Sequence, residues 1–149
     1  MENSLEHGEI SEMVSKAIAK HFKAQAFAVV GASSDEAKFG NKVLRWYVAA
    51  NKYVIPINPR EKLIEHIPCM KSLDELLDPE NTSISVITPP KVTSDILRQA
   101  KELKIHSVWL QPGSEPDEVY DPEYRAQLPF NLIFDGPCVL VHATNYARL

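Results

Sequence analysis

Ala26-Phe-Ala-Val-Val30, then Gly31-Ala-Ser-Ser-Asp-Glu-Ala-Lys-Phe-Gly40, then Asn41-Lys-Val-Leu-Arg-Trp-Tyr-Val-Ala-Ala50 is the stretch that decides the fold. The first part is a short apolar run bounded by polar sequence, which reads as a central strand buried on both faces. The second is a small-residue loop that ends at a glycine. The third opens a helical pattern. Strand, glycine turn and helix start together form a phosphate-binding device, because the helix N-terminus carries free N–H groups and the positive end of the dipole. Gly31 lets a ligand approach the backbone closely. Ala32, Ser33 and Ser34 follow it, and the two hydroxyls can donate to a phosphate oxygen. Gly40, Asn41 and Lys42 mark the helix start. The spacing is neither Gly-x-Gly-x-x-Gly nor a Walker A loop. The competing reading is a tight strand-to-helix connection with no ligand.

Working outward, Ile10, Met13, Val14, Ala17, Ile18 and Phe22 are spaced for an amphipathic helix over 9–22. His21 at its end reads as a surface residue, and residues 1–8 read as frayed. Tyr53 to Ile57 is a second strand that carries Pro56 near its end and runs into Asn58-Pro59-Arg60. A very short edge strand is expected near 69–70. Ser72-Leu-Asp-Glu75 fits a capping box for a short helix over 73–77. Ser83 to Thr88 is a strand ending at Pro89-Pro90, and a helix follows over 92–103. Ser107 to Leu110 is a strand followed by Gln111-Pro-Gly113. A helix over 116–127, a strand over 131–134 and a closing tail over 135–149 complete the chain. Alternating strands and helices predict a mostly parallel sheet covered on both faces. Right-handed crossovers place every strand's C-terminal end at one edge. Segments 31–40, 58–60, 88–90, 111–114 and 135–138 therefore converge on one crevice. A single domain is expected, with residues 1–25 as a helix packed on a core of 26–138 and 139–149 as its tail.

The chain has 149 residues, enough for one full core and too few for two ordinary domains. A formal net charge of -4 gives no basic field to advertise nucleic acid. No run is long and apolar enough to span a bilayer, and the first residues are acidic and polar, unlike a secretory signal. Two cysteines, Cys69 and Cys138, make no disulfide framework, so a cytoplasmic location is expected.

The tip of the second strand bears on ligand class. An NAD site places an acid there to hold the ribose hydroxyls. Here the tip is Asn58-Pro59-Arg60, with no acid. Asn58 can bond a ribose or a backbone, and Arg60 with Lys62 suits a 3′- or 2′-phosphate. The bland alternative is an Asn-Pro turn with a solvated arginine. Thr88, Pro89 and Pro90 form a rigid wall or a helix entry. Gln111 can point into the crevice beside Gly113, while Trp109 reads as core. Asp135, Cys138 and His142 allow a thiol nucleophile with a histidine base. A buried inert cysteine with a packing histidine accounts for the same residues, and nothing here fixes a metal site.

These residues resemble the small single-domain CoA-binding family, the stand-alone version of the nucleotide-binding domain that begins the succinyl-CoA synthetase alpha subunit. The resemblance spans about Phe22 to Cys138. It rests on Ala28-Val-Val-Gly31-Ala-Ser33, Gly40-Asn-Lys-Val43, Tyr53-Val-Ile-Pro-Ile-Asn58-Pro59, Ser72-Leu73 and Val108-Trp-Leu-Gln111 with Gly113. It implies a Rossmann-like three-layer α/β/α domain that binds coenzyme A or an acyl-CoA. Gly31, Ser33, Gly40, Asn41 and Lys42 would surround the pyrophosphate. Asn58, Pro59 and Arg60 would lie near the adenosine, and Thr88, Pro89 and Pro90 would line the wall. The chain departs from the family at Phe134-Asp-Gly-Pro-Cys138, where the family commonly has aspartate-arginine-cysteine. The synthetase reaction needs a second domain and a partner subunit and is not carried over. A non-catalytic or regulatory CoA-binding module is the leading expectation. An NADP-dependent oxidoreductase and a small thioester enzyme using Cys138 are the alternatives. Trp46 and Tyr47 suggest a partner surface on the second helix, with one of the two expected to be core instead, and a homodimer or protein partner fits the chain.

Overall fold

The computed structural model describes residues 10–147. The expectation for residues 1–8 falls outside them. Helix α1 (Glu12–His21) starts on Ser11, whose hydroxyl accepts from the Val14 N–H at 3.2 Å. Strand β1 (Ala26–Val30) leads into α2 (Phe39–Ala49) and β2 (Val54–Ile57). A two-stranded hairpin that the sequence pattern does not signal, β3 (Leu63–Ile64) and β4 (Ile67–Pro68), comes next. Then come β5 (Thr82–Val86), α3 (Pro90–Leu103) and β6 (Ser107–Leu110). A short α4 (Pro122–Arg125), β7 (Asn131–Ile133) and α5 (Val139–His142) finish the fold.

Five strands form one parallel sheet in the order β2-β1-β5-β6-β7. It is a Rossmann-like α/β sheet flanked by helices. The chain moves from β1 outward to β2, then returns to lay β5 on the other side of β1. The crevice between the C-terminal ends of β1 and β5 is therefore the topological switch point.

Pro56 fits the sheet because β2 is an edge strand. Its carbonyl faces outward and accepts from the Met70 N–H at 3.0 Å, so the missing N–H removes no bond to β1. That contact and the Asn58 N–H to Met70 carbonyl bond (2.9 Å) are what becomes of the edge strand expected near 69–70.

Three sequence readings need correction. The Ser72 hydroxyl bonds Asp74 and caps nothing, while Glu75 accepts from the Lys71 N–H; the capping box is not formed, and 73–75 is a single 3₁₀ turn. The helix expected over 116–127 is broken at Pro122 into a 3₁₀ turn, Asp117–Tyr120, and α4. His21 is not on the surface. It is fully buried at the end of α1, where Nδ1 bonds the Ser107 hydroxyl (2.7 Å) and Nε2 the Tyr47 hydroxyl (3.0 Å).

The two faces of the sheet bury different material. Under α3, β1 contributes Ala28 and Val30, β5 Ile84 and Val86, and β6 Val108 and Leu110, an entirely apolar set packed on Leu97 and Ala100. Under α1, α2 and α5 the register aligns Phe27, Ser83, Ser107 and Asn131 in one row. The next row is Val29, Ser85, Trp109 and Ile133. Ser85 bonds Tyr47 (2.7 Å), Ser83 donates to the His21 carbonyl (2.7 Å), and Asn131 donates to Ser107 (2.9 Å). These buried polar groups thus satisfy one another. Trp109, as expected, is core; its indole N–H donates to the Pro137 carbonyl at 2.9 Å.

Candidate functional site

Backbone crowding builds the junction of β1 and α2. Gly31 has φ +93°, and a Cβ there would stand 2.7 Å from the Ile87 carbonyl oxygen at the end of β5. A Cβ on Gly40 would collide with the Gly31 carbonyl oxygen, so the first turn of α2 sits directly against the end of β1. Only glycine permits that approach. The N-cap of α2, Lys38, makes no side-chain capping bond. The N–H groups of Phe39 and Gly40 find no acceptor among the described residues. The helix start therefore presents unspent donors and its dipole at the switch point.

A cleft of about 480 Å³ opens beside that helix start, lined by Phe39, Ile87, Thr88, Pro89, Pro112, Gly113 and Ser114. Thr88 meets the junction directly: a Cβ on Gly31 would lie 3.3 Å from its methyl carbon. Its hydroxyl bonds Thr93 at 2.7 Å. Pro89 is the N-cap of α3 and Pro90 its first residue, both exposed, so this wall is rigid and poor in donors.

The remaining residues singled out from the sequence occupy several environments. Ser33 and Ser34 lie in the loop after β1; the Ser33 hydroxyl accepts from the Asp35 N–H (3.1 Å) and Ser34 donates to Glu61 Oε2 (2.6 Å). Asn41 is buried, and its amide nitrogen donates to the Ser33 carbonyl (2.9 Å) and to Glu65 Oε2 (3.0 Å). Its oxygen accepts from Arg45 Nε at 2.7 Å. Asn58 donates to the carbonyl of buried Ala32 (2.8 Å) and accepts from the N–H groups of Arg60 (2.7 Å) and Glu61 (3.0 Å). Both amides thus hold the loop in shape. Lys42, Pro59 and Arg60 are exposed. Gln111 is fully buried and turned toward α5, its Oε1 accepting from the Val139 N–H at 3.1 Å. Its Nε2 has no hydrogen-bond partner among the described residues.

Phe39, Pro112 and Ser114 in the cleft fall within the segments expected to converge but are not singled out from sequence, and Glu61 lies outside those segments. The turn signal Asn58-Pro59 is visible, but only the folded turn reveals that it sends Glu61 back onto the loop after β1.

At the last corner, the Cys138 backbone N–H donates to His142 Nδ1 at 3.0 Å. His142 Nδ1 is thus engaged by the first turn of α5, while its Nε2 bonds nothing among the described residues. Among the described residues, no cluster of three potential ligands could hold a metal ion. No described helix is long and apolar enough to cross a membrane.

Residues 25–142 match the model of a family described as CoA binding domain. The chain belongs to this family. The CoA binding domain takes in the whole sheet, the β1–α2 junction and the cleft. A conserved hypothetical protein from Pyrococcus furiosus is 32% identical over 78% of this chain and 97% of its own, with a TM-score of 0.67. A hypothetical protein from Pyrococcus horikoshii shares the fold at 20% identity, covering 100% of this chain and 99% of its own at a TM-score of 0.75. A Thermus thermophilus protein does so at 24% identity, 93% and 98% coverage and a TM-score of 0.69. Among curated proteins none matches the chain.

Coenzyme A carries a pyrophosphate, a ribose phosphate and a largely uncharged pantetheine arm. The residues present fit such a ligand. Unspent N–H groups and Lys42 lie at the helix start, Arg60 and Lys62 at the tip of β2, and a donor-poor wall along Pro89 and Pro112.

Proposed function

We propose that the protein binds coenzyme A or an acyl-CoA in the crevice between β1 and β5, as a binding or regulatory module without chemistry of its own. The membership of residues 25–142 in the CoA binding domain family carries this reading. The helix start of α2 would receive the pyrophosphate, with Gly31 and Gly40 allowing the close approach and Lys42 adding charge. Arg60 and Lys62 would serve the adenosine end. The wall of Thr88, Pro89 and Pro90, with Gly113 opposite, would guide the pantetheine arm. In this reading the domain is used as in the nucleotide-binding domain of the succinyl-CoA synthetase alpha subunit, detached from the rest of that enzyme. Asn41, Asn58 and Gln111 act on the ligand through the shape they give to the loops. The binding of His142 Nδ1 by the Cys138 N–H favours a capping role over a thioester mechanism.

Incubation with acetyl-CoA, followed by thiol release, tests the module reading. Saturable binding without turnover is expected. Turnover that disappears in Cys138→Ser would reject the module and install the thioester enzyme.

A further inference from the structure

The tip of β2, Asn58-Pro59-Arg60, holds no acid itself, but the fold turns the next residue, Glu61, back onto it. Asn58 anchors the turn through its bond to the Ala32 carbonyl (2.8 Å), and its side-chain oxygen gathers the N–H groups of Arg60 (2.7 Å) and Glu61 (3.0 Å). The turn so formed points Glu61 back over the loop after β1, where Oε2 accepts from the Ser34 hydroxyl at 2.6 Å. A carboxylate is therefore held at the junction of the first and second strand ends, already accepting a hydrogen bond from a hydroxyl. Arg60 and Lys62 flank it, both exposed, and neither forms an ion pair among the described residues. In a strand-loop-helix nucleotide site with phosphate at the helix start, the ribose falls at the tip of the second strand, and an acid there accepts from a ribose hydroxyl.

Resting on the coenzyme A reading, we propose that Glu61 determines which ribose the crevice takes. It accepts a hydrogen bond from a free 2′-hydroxyl in place of Ser34, while Arg60 and Lys62 attract a phosphate on the 3′ position. A 2′-phosphate would set a dianion directly against the Glu61 carboxylate, and that repulsion disfavours it relative to a phosphate on the neighbouring 3′ position. Charge placement at one turn thus separates 3′-phosphorylated coenzyme A from the 2′-phosphorylated dinucleotide NADP, the two ligand classes left open by Arg60 and Lys62 alone.

The two adenosine bisphosphates that differ only in this position provide the test. Calorimetric titration of the wild-type protein with adenosine 3′,5′-bisphosphate and adenosine 2′,5′-bisphosphate is expected to favour the 3′,5′ isomer by about tenfold or more. Glu61→Gln keeps an acceptor for Ser34 and removes the charge. It is expected to bring the two isomers within about threefold by gaining the 2′,5′ isomer. Equal binding of the isomers to the wild type, a comparison independent of any variant, overturns the assignment, as does a ratio unchanged in Glu61→Gln. Coenzyme A titrated alongside tells the two claims apart. If it binds and the isomers are not distinguished, only the role of Glu61 falls. If neither it nor either bisphosphate binds, the coenzyme A reading falls too.

Discussion

The two faces of the sheet are made by adjacent residues of the same strands, yet they solve burial differently. In β5, Ile84 and Val86 face α3 and need no partner beyond apolar contact. Ser83 and Ser85, one residue away, face α1 and α2 and are equally buried. There Ser85, Tyr47, His21, Ser107 and Asn131 form a continuous chain of hydrogen bonds. The apolar face derives its stability from area removed from water, a term indifferent to pH. The polar face is stable only while each group keeps its partner and His21 stays neutral. Burial, and to a lesser degree the neighbouring His106, lowers the His21 pKa from 6.5 to about 3. The face that carries the β1–α2 junction is therefore also the one sensitive to acid.

The largest effect is expected where the polar face meets the crevice. Gly40→Leu would drive a side chain into the Gly31 carbonyl and push α2 off the sheet. A loss of more than about 3 kcal/mol follows, enough to unfold much of the protein at ambient temperature. Denaturant unfolding with retained wild-type stability would show that the junction is looser than its glycines imply.

A pair of variants then sets one face against the other. Leu97→Ala on the apolar face is expected to cost about 2–5 kcal/mol, by the same amount at pH 7 and pH 5. On the polar face, the unfolded chain takes up a proton on His21 below about 6.5 while the native protein does not until about 3. The His21 contribution to stability is thus full above pH 6.5 and is lost progressively as the pH falls toward 3. The acid loss attributable to this one group is on the order of 3–5 kcal/mol. His21→Gln should lower stability at pH 7 and flatten the slope between pH 6.5 and 4. An unchanged slope would place the acid sensitivity elsewhere.

The smallest effect is expected at the C-terminal corner. His142→Ala removes an acceptor from the Cys138 N–H at the start of a four-residue helix and should cost about 0.5–1.5 kcal/mol. A change several times larger would mean that the corner supports the sheet more than its geometry suggests.

The same contrast explains what is readable from sequence. The apolar run 26–30, the alternation of strands with helices and the convergence of loops follow from pattern alone, because parallel strands and amphipathic helices write their burial locally. The strand at 107–110 is legible to the residue. His21 is not, since a polar residue at a helix end looks solvated until Ser107 and Tyr47 are brought to it through the fold. At the crevice, the glycines and the proline wall stand out by residue type. The roles of Asn41 and Asn58 depend on which carbonyls stand within reach, Ser33 and Ala32, and no spacing rule supplies that. Glu61 is hidden for the same reason: its position is set by a turn whose direction only the folded chain reveals.

The central claim is that the junction of β1 and α2 receives coenzyme A. Calorimetric titration of the purified, nucleotide-stripped protein with coenzyme A, repeated on Lys42→Ala and Arg60→Ala, tests it most directly. Saturable binding to the wild type, weakened about three- to tenfold in each variant, is the predicted result. No heat and no thermal stabilisation with coenzyme A, or binding indifferent to both substitutions, would contradict it.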